Sequence, residues 1–374
     1  MSRENSEIAY AVLDLIRDCF EPERSVSKTI PEDISYEQFY AVSKAMGLTV
    51  MTAYALQKRG IGVPDFQMAH ARSQRRELLL DAEYRKISRA LSDACIQHLP
   101  LKGIVLKGLY PAVGLREMSD IDIWFDAPRT GDVNRIMTDL GYRADYYETS
   151  KHDVYTKPPM FCVEMHREII DGDVLPKCIG YYEEQWKKLV RDAGDRRYVL
   201  TQSHEDFYIY VVVHAYKHYL IAGIGIRVLL DIYVMLQKWG DSLDMAYIAD
   251  ECQKLGAADF EALVRRLATR LFDRDQLDKE DRARLDEFIG AGIHGNMGRY
   301  YSNAINKSRS KRAYILSRIQ TTDKQLEEHP VLSRHKALRP LYFPVRFVEA
   351  VIRRPGRLSA ELKTLLHKKK DGDS

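Results

Sequence analysis

The sequence predicts an α+β protein, a small mixed β-sheet within residues 101–170 flanked by an N-terminal and a C-terminal helical block. Three observations carry that expectation. Apolar residues recur at helical spacing through residues 1–100 and again after about 181. Between these blocks SDIDIWFD (119–126) alternates polar and apolar residues, the pattern of a half-buried strand. Short β-branched and apolar runs in the same island are bounded by Pro and Gly. The organisation expected is an N-terminal helical region (1–100), a core (101–180), a C-terminal helical domain (181–330) and a basic tail (331–374).

Taken in order, Ile8, Val12, Leu15 and Ile16 mark a first helix. Tyr36 to Leu56 reads as a second, ended by Gly60, Gly62 and Pro64. Leu79, Ala82, Ile87, Leu91 and Cys95 read as the apolar face of a third. LPLKGIVLKG (99–108) then reads as a strand between Pro100 and Gly108, and 119–126 as another. DVNRIMTDLGY (132–142) is a short helix closed by Gly141, and 153–170 reads as strands broken by Pro158 and Pro159. HEDFYIYVVVHAYKHYL (204–220) starts with an acidic first turn, as a helix favours. RVLLDIYVMLQKWG (227–240) is a further helix ended by Gly240, and helical patterns continue through 243–325.

Composition removes several classes of function. The chain has 374 residues, 45% apolar and 30% charged, ordinary for a globular protein and too apolar for a disordered one. Its 57 Lys and Arg against 54 Asp and Glu leave a net charge of +3, which argues against coating nucleic acid by bulk charge. That average hides an asymmetry. Residues 331–374 hold 11 basic and 4 acidic residues, a net +7, which leaves −4 for the rest. Arg353, Arg354, Arg357, Lys363, Lys368, Lys369 and Lys370 form a surface suited to an acidic partner, RNA or a membrane surface. The five cysteines form no CxxC pair, which argues against a zinc ribbon or disulfide framework and for a reducing, cytoplasmic location. The N-terminus lacks a signal-peptide pattern, and no run approaches the ~18 apolar residues of a transmembrane segment.

The chemistry concentrates in 106–126 and 161–170. In a strand Asp120 and Asp122 share one face, while Ile121, Ile123 and Phe125 anchor the other. Two adjacent carboxylates are costly unless a cation shares them, and Mg²⁺ held by carboxylates and substrate phosphates is a common solution. In FCVEMHREI, Cys162, Glu164 and His166 share a face with Val163 and Met165 behind. Glu164 could therefore complete a three-carboxylate site as a metal ligand or proton acceptor. Lys107 and Gly108 precede the acids as phosphate binders, a point charge and a close-approach glycine, and Arg116 adds a fork of donors. Lys102 lies five residues earlier, on the far end of the same expected strand. His214 and His218, one turn apart with Lys217 beside them, read as packed residues or as cleft lining together with His166. They lack the companion glutamate and third ligand of a zinc site. Arg227 and Asp231, four apart, read as an intrahelical ion pair.

A glycine turn, about a dozen residues, then Asp-x-Asp between apolar residues resembles the DNA polymerase β-type nucleotidyltransferase superfamily. The Lys107-Gly108 variant, with Tyr110-Pro111, Arg116 and Ser119-Asp120-Ile121-Asp122, resembles a family of uncharacterised nucleotidyltransferases. The Glu164-Met165-His166 strand and the HAYKH helix extend the likeness across roughly 35–350. The resemblance implies Mg²⁺, with two ions expected, at Asp120, Asp122 and Glu164 as catalytic acids. It implies a nucleoside triphosphate held by Lys107, Gly108, Arg116 and Ser119. The implied reaction moves a nucleoside monophosphate to an acceptor, a small molecule, a protein or RNA, and releases pyrophosphate. A toxin-like enzyme acting on RNA or protein, and a non-catalytic nucleotide-binding regulator, are alternatives on the same fold. A wholly helical interaction protein is a third, and it requires that no sheet form at 101–170.

Overall fold

A computed structural model describes residues 3–21, 23, 34–148, 150–170, 172–191, 198–292, 295, 297–308, 310–319 and 355–367. The chain divides into two compact units, one of residues 1–217 and 225–293, the other of 218–224 and 294–374. The first holds the sheet.

Four helices open the first unit: α1 (Arg3–Phe20), α2 (Tyr36–Met46), α3 (Thr49–Lys58) and α4 (Pro64–Asp93). Ile8, Val12, Leu15 and Ile16 of α1 are buried, as their spacing requires. The expected single helix over 36–56 is two. Gly47 takes the left-handed conformation (φ 72°), and the Leu48 N–H returns to the Ser43 carbonyl at 2.8 Å. That pairing closes a helix end, and the fully buried Leu48 starts the next turn.

Helix α4 forms where expected, with Pro64 in its first turn, and its buried face coincides with the expected one at Ile87 and Leu91 only. Leu80, Ile87 and Leu91 enter the core, whereas Leu79, Ala82 and Cys95 are exposed. The buried stripe was disguised by two acids within it. Glu77 accepts from the Gly114 N–H at 2.6 Å, and Glu83 is paired with Lys157. Both are under a tenth exposed, because buried carboxylates with partners are tolerated.

The sheet has five strands: β1 (His98–Pro100), β2 (Ile121–Phe125), β3 (Arg143–Tyr146), β4 (His152–Lys157) and β5 (Phe161–His166). Their spatial order is β1-β2-β5-β4-β3, with β2 parallel to β5 and the other pairs antiparallel. The mixed sheet expected within 101–170 is therefore present, with β1 lying just before it. Between β2 and β3 runs α6 (Thr130–Asp139), capped by Gly141 at φ 83° as its sequence suggested. Ile121, Ile123, Phe125, Val163, Met165 and Tyr155 pack from one sheet face onto α4 and α6.

The strand expected over 99–108 is corrected. Pairing with β2 ends after Leu101, whose N–H donates to the Asp122 carbonyl at 3.0 Å. Lys102 then turns the chain with φ 33° and ψ −100°, and α5 (Gly103–Leu106) and a 3₁₀ turn (Lys107–Leu109) follow. Pro100 has no N–H with which to carry a ladder on. The run Ile104-Val105-Leu106 instead folds as one helical turn, with Leu106 buried and Ile104 packed on the sheet core.

Beyond the sheet come α7 (Tyr181–Lys188) and a two-stranded ribbon, β6 (Val190–Arg191) with β7 (Leu200–Thr201). Helices α8 (His204–Ala222), α9 (Arg227–Trp239), α10 (Met245–Leu255), α11 (Ala258–Thr269) and α12 (Lys279–Ala291) follow. The second unit contains α13 (Met297–Lys307), α14 (Lys311–Ile319) and α15 (Pro355–His367), with α13 against α15. There Tyr314 and Arg318 both donate to the Glu361 carboxylate. Of the basic tail, Arg357 and Lys363 fall on α15. Arg353, Arg354, Lys368, Lys369 and Lys370 lie outside the described residues.

Candidate functional site

The register of β2 on β5 sets Asp122 opposite Glu164 and Trp124 opposite His166. Because strand side chains alternate, these four project from the face opposite the core, as the alternation of both segments predicts. One ligand atom each from Asp122, Glu164 and His166 lie within 4.8 Å of one another. His166 Nε2 donates to Asp122 Oδ1 at 3.0 Å and lies 3.5 Å from Glu164 Oε2. His152, across from His166 on β4, brings its Nε2 to 3.7 Å from the same Glu164 oxygen.

Asp120 stands one residue before β2 and is half-buried. Burial, then the Asp122 charge, raises its carboxyl above the ordinary range. Asp122 shifts the other way. Burial works against its charge, but the Lys102 ammonium and the His166 hydrogen bond outweigh burial and hold it well below the ordinary range. Glu164 is lowered by the His166 hydrogen bond against burial. Burial disfavours the charged form of His166, yet the bonds to Asp122 and Glu164 outweigh it and raise its pKa. Asp122, Glu164 and His166 thus hold one another's charges, with Lys102 on Asp122, while Asp120 beside them is pushed toward its protonated form.

The cation that meets these acids is Lys102. Its Nζ lies 3.3 Å from Asp122 Oδ1 and donates to His214 Nε2 at 3.2 Å. Lys107 is turned away, held by Glu77 at 3.6 Å and by Asp81. Gly108 is exposed in the 3₁₀ turn. Arg116 is clamped by Asp231 of α9, Nε to Oδ1 at 2.8 Å and Nη2 to Oδ2 at 3.0 Å, and Tyr110 adds its hydroxyl to Oδ1 at 2.8 Å. Asp231 therefore serves the loop before β2, and the expected intrahelical pair with Arg227 is replaced by this longer-range clamp. Ser119 is exposed beside Asp120, and its carbonyl accepts from Arg76 at 3.2 Å.

Helix α8 brings His214 to the acids through Lys102. One turn earlier the Tyr210 ring centroid lies 6.0 Å from that of His214, and its buried hydroxyl has no hydrogen-bond partner among the described residues. Lys217 is half-buried and close enough for its charge to lower the pKa of His152, behind the larger effects of burial and His166. His218 is exposed.

Lys102, His152 and Tyr210 are the members that sequence reasoning missed. A signal existed for Lys102: the chain carries Leu-Lys-Gly twice, at 101–103 and 106–108, and only the first directly follows a proline that ends a strand.

The donor chemistry suits a divalent cation. Two carboxylate oxygens and an imidazole nitrogen converge, a third carboxylate stands beside them, and all lie on rigid strands or at a strand end.

A family model described as an uncharacterised nucleotidyltransferase matches residues 32–273. No curated protein and no solved structure matches.

Proposed function

The chain belongs to this nucleotidyltransferase family, and from that premise we propose that it transfers a nucleoside monophosphate from a nucleoside triphosphate to an acceptor, releasing pyrophosphate in a Mg²⁺-dependent reaction. The observation that carries the reading is the convergence of Asp122, Glu164 and His166 on adjacent parallel strands. When bound, the metal supplies charge neutralisation to the attacking and leaving oxygens of the displacement. Asp120, Asp122 and Glu164 provide the oxygen donors, and His166 orients two of them. Glu164, on the strand beside Asp122, is the third acid, a further metal ligand or the acceptor of a proton from an incoming hydroxyl. The acceptor remains as broad as the sequence made it: a small molecule, a protein side chain or an RNA end. A location in the reducing cytosol is consistent with five cysteines that are all free. No described helix is long and apolar enough to cross a membrane.

The retention of all three acids favours catalysis over a nucleotide-binding regulator, since a binder has no need of a full set. The test is incubation with each α-labelled triphosphate, Mg²⁺ and a cell extract, followed by identification of the labelled molecule. Asp120→Asn and Asp122→Asn should each abolish transfer. Label transfer at the wild-type rate by either variant would refute the assignment.

A further inference from the structure

We propose that Lys102 is a built-in counter-ion of the acidic site, one that competes with the divalent cation for Asp122 and, once displaced, turns to the phosphates of the substrate. The inference rests on the nucleotidyltransferase reading and adds a role for a residue outside the expected phosphate-binding pair.

Three observations support it. First, a single oxygen, Asp122 Oδ1, carries both the Lys102 ammonium at 3.3 Å and the His166 Nε2 at 3.0 Å. Both must yield that oxygen when a metal takes it. Asp122 itself is 4% exposed, so no solvent cation shares its charge cheaply. Second, Lys102 has a second holding point, since its Nζ donates to His214 Nε2 at 3.2 Å. A four-carbon stem with three donors can leave Asp122 while keeping a partner. Third, the backbone at Lys102 is held at φ 33°, a conformation that a residue with a side chain adopts only under strain. The Leu101 N–H bond to Asp122 on one side and the first turn of α5 on the other fix it there. A glycine would take that position with less strain, so the strain marks a place where the ammonium matters.

The consequence follows from charge alone. The ammonium and an incoming divalent cation contend for the same carboxylate oxygen, and two like charges at such short range oppose each other. Removing the ammonium should therefore tighten metal binding by about tenfold or more. The same ammonium, once it leaves Asp122, is available to an incoming polyanion, so its removal should weaken phosphate binding. A residue that merely braces the fold would move both affinities in one direction or neither.

The experiment titrates Mn²⁺ into the full chain without nucleotide, reading free Mn²⁺ by electron paramagnetic resonance. Inorganic tripolyphosphate is then titrated calorimetrically at saturating Mn²⁺. Lys102→Met should bind Mn²⁺ about tenfold or more tightly and tripolyphosphate more weakly, and Lys102→Arg, which keeps the charge, should stay near wild type in Mn²⁺ affinity. Equal or weaker Mn²⁺ binding by Lys102→Met, or unchanged tripolyphosphate binding, overturns the proposal. Absence of Mn²⁺ binding in both wild type and Lys102→Met instead overturns the metal-dependent reading on which it stands. Asp122→Asn, which should lose Mn²⁺ in any case, identifies the site.

Discussion

The clamp between Arg116 and Asp231 offers a direct measurement of what holds the loop before β2. Asp231→Ala removes the carboxylate that receives two guanidinium bonds, at 2.8 and 3.0 Å, and the Tyr110 hydroxyl at 2.8 Å. The Arg116 and Asp231 side chains are only 10% and 11% exposed, so the orphaned guanidinium cannot recover its hydration. Breaking one partner of a buried pair costs about 3–5 kcal/mol, and the lost phenol bond, worth about 1 kcal/mol, is partly contained in that figure. Against a typical stability of about 5–15 kcal/mol the loss is large. The assay is equilibrium urea unfolding followed by tryptophan fluorescence. Trp124, Trp186 and Trp239 all lie in the first compact unit, so the signal reports on the unit that contains the clamp. The double variant Arg116→Met with Asp231→Leu should recover most of the loss, because it removes both charges together. A loss below about 1 kcal/mol for Asp231→Ala, accompanied by weaker nucleotide binding in Arg116→Met, would refute the clamp. Arg116 would then be a phosphate reader, the role its sequence position suggested.

Two further perturbations probe the supports of the site. Gly114→Ala should destabilise the first unit by about 1–3 kcal/mol in the same urea assay, since φ is +88° and an added Cβ would stand 2.8 Å from the Gln74 backbone nitrogen; unchanged stability would show that the loop does not rest on α4. His98 is fully buried and satisfied as a neutral ring, with Nδ1 donating to the Ile96 carbonyl at 2.9 Å and Nε2 2.7 Å from the Ser88 hydroxyl. Burial, opposed by the Ile96 bond, lowers its pKa, so the unfolded chain takes up the proton first as pH falls. Its contribution is complete above the unfolded value near 6.5 and is lost toward the folded one, by up to about 1.4 kcal/mol per pH unit. His98→Gln should therefore show a shallower loss of stability between pH 7.5 and 5 than wild type, and parallel pH profiles would contradict that account.

The parts of the fold that were legible in the sequence are those that local periodicity controls. Alternation in 119–126 and 161–166 placed Ile121, Ile123, Val163 and Met165 in the core and Asp122, Glu164 and His166 on the opposite face, and the sheet does so. The helix over 204–220 and the ending of α9 at Gly240 follow from the same kind of signal. Periodicity failed where a buried residue was polar. Glu77 and Glu83 lie on the inner face of α4 because Gly114 and Lys157 satisfy them, and neither partner is visible from a helical pattern. Pairing failed at longer range. Lys107 and Lys102 look alike in sequence, and only the turn at Lys102 decides which of them meets Asp122. Likewise Asp231 has Arg227 four residues away but finds Arg116, 115 positions earlier, because packing of α9 against that loop overrides chain proximity.

The parallel pairing of β2 with β5 also sets a schedule. Asp122 and His166 are 44 residues apart, and parallel strands become neighbours only after α6, β3 and β4 have been laid down between them. During synthesis, Asp120 and Asp122 emerge as two ordinary acids at the start of a strand that has β1 beside it on one edge and β5 still missing from the other. They acquire Glu164 and His166 only when β5 docks, and His214 only when α8 follows. A chain interrupted before β5 would thus carry the Asp-x-Asp signature without a place to concentrate a cation. Competence at this site is a property of the finished sheet, and metal uptake should serve as a late marker of folding.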